Sequence, residues 1–298
     1  MTLSDNKITE IYCLVDNFCI GFHRSMAKHM LGNTPKRKPN LSTSEVITIM
    51  ILFHHSGYRT IKCFYTQYVK VHMCHLFPKT VSYNRFVELM AGANLPLALF
   101  VKECCMGKCT GISFIDSTPL RVCKNKRISN HKVFKGIGQL GKSSIGFFFG
   151  FKLHLAVNDK GELLNFLISP GNMDDRDPLK NPNFIKAFTG KMYADKGYIS
   201  AALSRILFDD GIHLITQIRK NMKNCLMSLN DKILLRKRSV IETINDELKN
   251  MCQIEHSRHR SFANFLSNLL SGLAAYSFFP KKPAIKYESV HTNQLSMI

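Results

Sequence analysis

The sequence predicts an α/β protein, a mixed sheet flanked by helices and preceded by an all-helical N-terminal region. Three observations carry this expectation. Up to about residue 110, apolar residues recur at steps of three and four, the helical spacing. Beyond Gly111 they alternate or form short runs bounded by turns, as strands do. The strand-like segments come first as a set of three and then alternate with helices, an order that suits one mixed sheet.

Residues 1–110 read as helices. Ile8–Met30 is the first, and Lys36, Arg37 and Lys38 between Pro35 and Pro39 form a basic linker. Ser42 or Thr43 can cap the next helix, Glu45–His55, with Gly57 ending it. Further helices are expected over Thr60–Val71 and, capped by Ser82, over Tyr83–Ala91. Short helices with polar turns suit either a helix-turn-helix DNA reader or a plain bundle. The α/β part is expected over 111–280. Its strands are Ile112–Ile115, Phe147–Val157, Glu162–Ile168 (a hairpin with the strand before it), Met192–Ala194 and His213–Ile218. Its helices are Ile199–Asp209, with Gly211 just past its end, and Arg238–Met251. Residues 281–298 read as a basic, polar, frayed tail.

Composition narrows the function. The chain has 298 residues, of which 45% are hydrophobic, enough for a real core and against wholesale disorder. Lys and Arg number 41 against 21 Asp and Glu, a net charge of +20. Such an excess predicts a polyanionic partner, because phosphates opposing it release condensed counterions. The apolar runs Val46–Phe53 and Phe265–Phe279 are too short or too interrupted to span a bilayer, so no membrane partner is expected. The ten cysteines include no Cys-x-x-Cys pair, which leaves zinc little support. Free thiols in a reducing cytosol are expected, and no export signal precedes them.

The chemistry is expected at three acids. Asp116 follows the strand Ile112–Ile115 and Asp195 follows Met192–Ala194, and α/β sheets build their sites at such strand ends. Carboxylates brought together there repel, and either one takes a proton or a cation sits between them. Hard oxygen ligands suit magnesium or manganese. On the helix Arg238–Met251 the apolar stripe is Val240, Ile241, Ile244, Leu248 and Met251. Arg238, Glu242 and Lys249 share the polar side, an acid between two potential phosphate-binding cations.

Phe-Ile-Asp116-Ser-Thr-Pro, Tyr-Ala-Asp195-Lys-Gly-Tyr and Arg238-x3-Glu242-x6-Lys249, in this order, resemble the DDE transposases of bacterial insertion sequences, within them the insertion sequence nine-eighty-two family. The segment Ile254-Glu-His-Ser-Arg-His-Arg260 resembles that group's downstream segment. The resemblance runs from about Gly111 to Phe279. It implies a ribonuclease-H-like fold, two divalent ions (Mg2+ or Mn2+) per active site, and cleavage and strand transfer at transposon ends. It makes Asp116, Asp195 and Glu242 the catalytic, metal-binding triad, with Arg238 and Lys249 beside the phosphate. The implied partners are double-stranded terminal inverted repeats and target DNA, bound by a homodimer or larger assembly in a bacterial, nucleoid-associated setting. One departure is Leu235, where related enzymes often carry a Tyr. The 46 residues between Asp195 and Glu242 leave no room for a large inserted domain. Asp246 and Glu247 are rivals for the third acid.

Basic residues surround the proposed site. Ser117 to Asn158 contains no Asp or Glu but holds Arg121, Lys124, Lys126, Arg127, Lys132, Lys135, Lys142 and Lys152. With Gly136, Gly138 and Gly141 in its middle, it is expected to be a mobile loop closing on DNA. Arg258, Arg260, Arg219, Lys220 and Lys223 are further candidates for phosphate contact. His154 shares a strand face with Lys152 and is expected to be simply hydrogen-bonded. Asp174, Asp175 and Asp177 read as a second metal site or, in preference, a polar turn, with Asp177 before Pro178 opening a helix. Two other functions remain open. A decayed transposase acting as a non-catalytic repressor would bind DNA without cutting it. A sugar hydrolase using Asp116 and Glu242 as an acid/base pair fits poorly with the positive charge and the absence of Trp.

Overall fold

The computed structural model describes residues 3–27, 39–144, 146–218, 222, 226–255, 259–286 and, for the backbone alone, 295–297. Along the chain, α1 (Asp5–Ala27) and α2 (Thr43–His55) are followed by α3 (Ile61–Cys63), a π-helical stretch (Phe64–Val69) and α4 (Lys70–His72) in one continuous run. Then come α5 (Tyr83–Gly92) and α6 (Asn94–Cys104). The strands β1 (Ile112–Arg121), β2 (Gln139–Ser143), β3 (Gly146–Asn158) and β4 (Leu163–Pro170) precede the short α7 (Pro182–Ile185). Next are β5 (Gly190–Ala194), α8 (Ala201–Asp209), β6 (Ile212–Thr216), β7 (Leu226–Ser228), α9 (Leu229–Lys237) and α10 (Ser239–Asp246). A π-helical turn (Glu247–Met251), α11 (Phe262–Ser277) and β8 (Leu295–Met297) complete the order. The basic linker Lys36, Arg37 and Lys38, and the candidates Arg219, Lys220, Lys223 and Arg258, lie outside the described residues.

The chain divides into two compact units, residues 1–105 with 248–279, and residues 106–247 with 280–298. The second unit holds the six-stranded sheet, ordered β2-β3-β1-β5-β6 with β4 also on β3. β1, β3 and β4 form an antiparallel meander, while β5 and β6 add in parallel on the far side of β1. A three-stranded meander extended by two parallel strands is the ribonuclease-H-like order, and the fold is the mixed α/β type the sequence predicts. One face of the sheet presents Ile115, Ala156, Met192, Ala194 and Leu214 to the core under α7 and α8. Successive side chains alternate between faces. Phe114 and Tyr193, stacked at 5.5 Å, therefore lie on the other face, where α9 and α10 pack.

Two expectations about this sheet need correction. β1 does not stop before Asp116. It pairs with β3 from Ser113↔Asn158 to Arg121↔Gly150. The apolar run ends at Asp116, but the long strand β3 has ladder groups to satisfy along its whole length, and Ser117–Arg121 satisfy them. Pro119 is tolerated because β5 pairs with β1 only as far as Phe114, so β1 beyond that point is an edge on that side. The stretch after β1 is not one long loop either, because Gln139–Ser143 forms β2 on β3. At Gly150 the chain takes φ +150°, and a Cβ there would lie 2.2 Å from the Leu120 carbonyl oxygen, which explains the glycine between three converging strands.

The helical unit is built on two helices that are apolar nearly all round, α2 and α11, which pack on each other. That pairing corrects the expected boundary: α11 belongs with the N-terminal helices rather than with the sheet. Ser42 caps α2 in a reciprocal capping box with Glu45 and Ser82 caps α5, as the sequence predicts, and Thr60, expected inside the next helix, caps α3 instead. The tail also departs from expectation, since β8 pairs antiparallel with β7 and the Ile285 amide donates to the Asp159 carbonyl.

Buried imidazoles sit at the heart of this unit. His54 on α2 is 4% exposed; its Nδ1 bonds the Cys252 carbonyl and its Nε2 lies 2.8 Å from the Ser271 hydroxyl on α11. Burial pushes its pKa down to about 4, and burial does the same to His55 and His259. The unfolded chain takes up these protons near pH 6.5. Stability is therefore whole above that pH and falls as pH drops toward 4, by on the order of 3 kcal/mol for a fully buried imidazole. Urea unfolding followed by circular dichroism should show this loss between pH 7.5 and 4.5. A His54→Gln variant should show a shallower pH dependence, and an unchanged slope would contradict the role given to His54.

Candidate active site

Asp116 and Asp195 reach their places through strand register. The last parallel pair of β1 and β5 is Phe114↔Tyr193, and each acid lies two residues beyond it. Both are thus level, on adjoining strands and on the same face by alternation, the face on which α10 packs. β5 ends at Ala194 while β1 runs on, which leaves the Asp116 side chain at a step in the sheet. Glu242 is in the first turn of α10.

Arg238, at the junction of α9 and α10, holds the group together. Its Nη2 lies 2.9 Å from Glu242 Oε1 and 3.8 Å from Asp195 Oδ1. Its side chain is only 14% exposed, whereas those of Asp195 and Glu242 are 50% and 57% exposed. A nearly buried guanidinium requires such partners, since an unpaired buried charge is costly. Asp116 is the most enclosed acid. Burial pushes its carboxyl pKa up to about 6; Arg238 and the Ser117 amide oppose the rise, and the charges of Glu242 and Asp195 add to it. Of the rivals for the third acid, Asp246 is exposed at the end of α10. Glu247 instead buries Oε2 without a hydrogen bond, and burial raises its pKa.

Asn245 escaped the sequence reading, and Tyr198 entered it only as the last residue of the motif around Asp195. Asn245, one turn beyond Glu242, is 6% exposed and points Nδ2 at Asp116 Oδ2 across 3.5 Å, while its own Oδ1 is buried without a partner. Its spacing of three from Glu242 was the available signal. Tyr198 buries a hydroxyl that has no hydrogen bond, and its pKa is raised by burial first and then by the charges of Asp116 and Asp175.

The cationic candidates separate into groups. Arg121, Lys124, Lys126, Arg127, Lys132 and Lys135 are all exposed, over the end of β1 and the segment leading to β2. Lys152 is 12% exposed and donates to the Met173 carbonyl and to Asp175, both at 2.8 Å. Ser117 also donates to Asp175, at 2.7 Å. His154 Nε2 lies 2.7 Å from the Ser169 hydroxyl. By alternation Ser117, Lys152 and His154 lie on the sheet face opposite Asp116. Lys249 belongs to the helical unit, where it pairs with Glu255 at 3.2 Å. The single helix Arg238–Met251 expected from the sequence breaks into α10 and a π-helical turn, which ends the shared period of Arg238, Glu242 and Lys249. Arg260 is exposed in the helical unit.

The donor set is hard oxygen from three acids, and two of them face solvent, which fits a divalent cation in kind. Among the described residues no three His, Cys, Asp or Glu side chains stand at common metal-holding distance. Arg238 supplies the positive charge among them, and burial lets Asp116 hold its proton up to about pH 6.

The site and sheet define a mixed α/β protein with a cluster of acids at one end of its sheet. The family model described as "Transposase DDE domain" matches residues 106–262, just over half of the chain, and the chain belongs to that family. No curated protein matches the sequence. Among solved structures the chain is similar to the piggyBac transposase in its synaptic complex with hairpin DNA, with 10% identity over 93% of this chain and 72% of that one and a TM-score of 0.44. It is also similar to the Mos1 strand transfer complex, with 10% identity over 88% and 84% of the two chains and a TM-score of 0.29. The family assignment rests on the family model alone. No helix among the described residues is long and apolar enough to cross a membrane.

The raised Asp116 pKa has a measurable consequence. A carboxyl that titrates near 6 when folded and near 3.8 when unfolded stabilises the fold only while protonated. Without metal, stability therefore falls as pH rises from about 4 through 6. Asp116→Asn should raise stability at pH 7.5 by on the order of 2–3 kcal/mol and make no difference at pH 4. Thermal melts at the two pH values check this. Equal melting of the variant and the natural chain at pH 7.5 would show that the buried acid carries no such cost.

Proposed function

We propose that the protein is a transposase that cuts the ends of its transposon and joins them to target DNA, with Asp116, Asp195 and Glu242 as the catalytic acids. The observation that carries this reading is their convergence from β1, the end of β5 and α10 around the single guanidinium of Arg238. Transposase domains of this class are in general dependent on divalent metal. The three carboxylates are the residues that would hold Mg2+ or Mn2+, two ions per site. Bound there, the ions would activate the attacking oxygen and stabilise the leaving one in an in-line displacement.

The chain's own residues do the rest. Asp116 gives up its proton, Asn245 donates toward its oxygen, and Arg238 is placed to donate to a phosphate oxygen brought to the acids. The exposed row Arg121, Lys124, Lys126, Arg127, Lys132 and Lys135 supports a path for the DNA backbone. Lys249 and Arg260, with Arg258, are assigned to DNA as well. The closer kinship is proposed with the insertion sequence nine-eighty-two group, acting on inverted repeats as a dimer or larger assembly at the bacterial nucleoid. The helical region is its DNA-binding part.

The test uses the full chain and a plasmid carrying the inverted repeats that flank its own reading frame. With Mg2+ or Mn2+, nicking at the repeat ends and strand transfer are expected. Asp116→Asn, Asp195→Asn and Glu242→Gln should each lower the rate by about 10³-fold or more while keeping DNA affinity, because the charge each acid supports at the reacting oxygens is worth several kcal/mol. Asp246→Asn and Glu247→Gln should stay within about tenfold of the natural chain. Lys126→Ala should leave the chemistry intact and flatten the salt dependence of binding by about 0.9 in the log–log slope. Tight DNA binding with no cleavage under either metal would favour the non-catalytic repressor instead.

A further inference from the structure

The helical unit holds a cavity of about 710 Å³ that the chemistry above does not use. It falls within the roughly 300–1,000 Å³ usual for sites that take a small molecule or one unit of a polymer. Its mouth carries Arg59, Lys62 and Arg260, all exposed, and no Asp or Glu lines it. Among the described residues none of these three cations is paired with a carboxylate. Three unpaired cations facing one hollow attract an anion rather than a neutral solute.

The interior adds a second kind of recognition. Tyr83, at the start of α5, gives the wall a half-buried aromatic ring, and the Lys62 ammonium lies 6.0 Å from that ring's centroid. Asn264 on α11 buries its side-chain Oδ1 with no hydrogen-bond partner. Buried acceptors are nearly always satisfied, so one left open in a cavity wall marks the place of an incoming donor. His259 adds a neutral ring beside it, since burial keeps that imidazole uncharged at neutral pH. The ligand must therefore combine negative charge, a flat ring and a ring-edge N–H.

We propose that this cavity takes one unpaired nucleotide of a DNA strand, with its phosphate among Arg59, Lys62 and Arg260, its base along Tyr83, and a base N–H donated to Asn264 Oδ1. The inference rests on the reading that DNA is the partner, and deepens it. A paired base has its hydrogen-bonding edge already engaged and its faces covered by neighbours, so the nucleotide must lie outside a duplex, as a frayed end, an overhang or a flipped base.

The test is a binding measurement on the full chain in EDTA, so that cutting does not interfere. Two probes of one sequence are compared, a blunt duplex and the same duplex with a three-nucleotide overhang containing 2-aminopurine. The overhang should bind about tenfold tighter than the blunt duplex, as expected from stacking one base on an aromatic wall, and its 2-aminopurine fluorescence should be quenched on binding. Tyr83→Leu and Asn264→Leu, shown folded by circular dichroism, should lose both the preference and the quenching and bind blunt duplex as before. Arg260→Ala should lower the salt slope for the overhang probe by about 0.7.

Retention of the preference by both Tyr83→Leu and Asn264→Leu would overturn the proposal. So would saturation of the cavity by free dAMP, lost in Tyr83→Leu, without any preference for the overhang; the site would then serve a mononucleotide. Asp116→Asn, measured in parallel, should keep the preference. Failure of that variant to cut, with the preference intact, supports both readings. Equal loss of blunt and overhang binding in the natural chain would instead sink the assignment of DNA as the partner.

Discussion

The constraint on which the sheet-bearing unit depends is electrostatic: three acids crowd one end of the sheet, and something positive must stand among them. Strand register forces the crowding. Asp116 and Asp195 lie the same distance past the last pair of two adjoining parallel strands, so the backbone ladder alone makes them neighbours. Glu242 then arrives on the helix that covers that face. Arg238, almost out of solvent, neutralises part of the charge, and burial with the two neighbouring acids raises the Asp116 pKa to about 6. Under the proposed function, a stronger cation takes over that neutralising role.

The opposite face of the sheet shows the contrast. Lys152, Asp175, Ser117, His154 and Ser169 also form a polar group there, but its charges and hydrogen bonds are largely matched internally. Lys152 has its acid within 2.8 Å, and His154 has a hydroxyl on one nitrogen. Such a group holds β1, β3, β4 and the turn after β4 together. The two clusters sit on the same strands one residue apart, and alternation alone decides which supports the fold and which is left with unbalanced charge.

Much of the catalytic unit was legible in the sequence because its signals are local. Short apolar runs stop at Asp116 and Asp195, the alternation over β3 is long, and the stripe of Val240, Ile241 and Ile244 marks a helix with Glu242 off it. What was missed depends on pairing between distant segments. β1 continues through Ser-Thr-Pro only because β3 needs a partner, and β2 exists only because β3 offers a free edge. α9, with its Asn, Asp, Lys and Arg, has too weak an apolar stripe to announce itself. α11 looked like part of the sheet domain because it follows it in sequence, yet it is buried almost along its length against α2, α5 and α6. Asn245 and Tyr198 carry no charge signature, and only burial of their polar atoms singles them out. The unpaired cations of the helical cavity were hidden for a related reason, since pairing cannot be read from composition.

The most direct measurement of the central claim is anomalous diffraction at the manganese edge from crystals soaked in Mn2+. The account predicts an anomalous peak bounded by oxygens of Asp116, Asp195 and Glu242, with the Arg238 guanidinium drawn back from at least one of them. Peaks only elsewhere, with Arg238 still seated on Asp195 and Glu242, would contradict it.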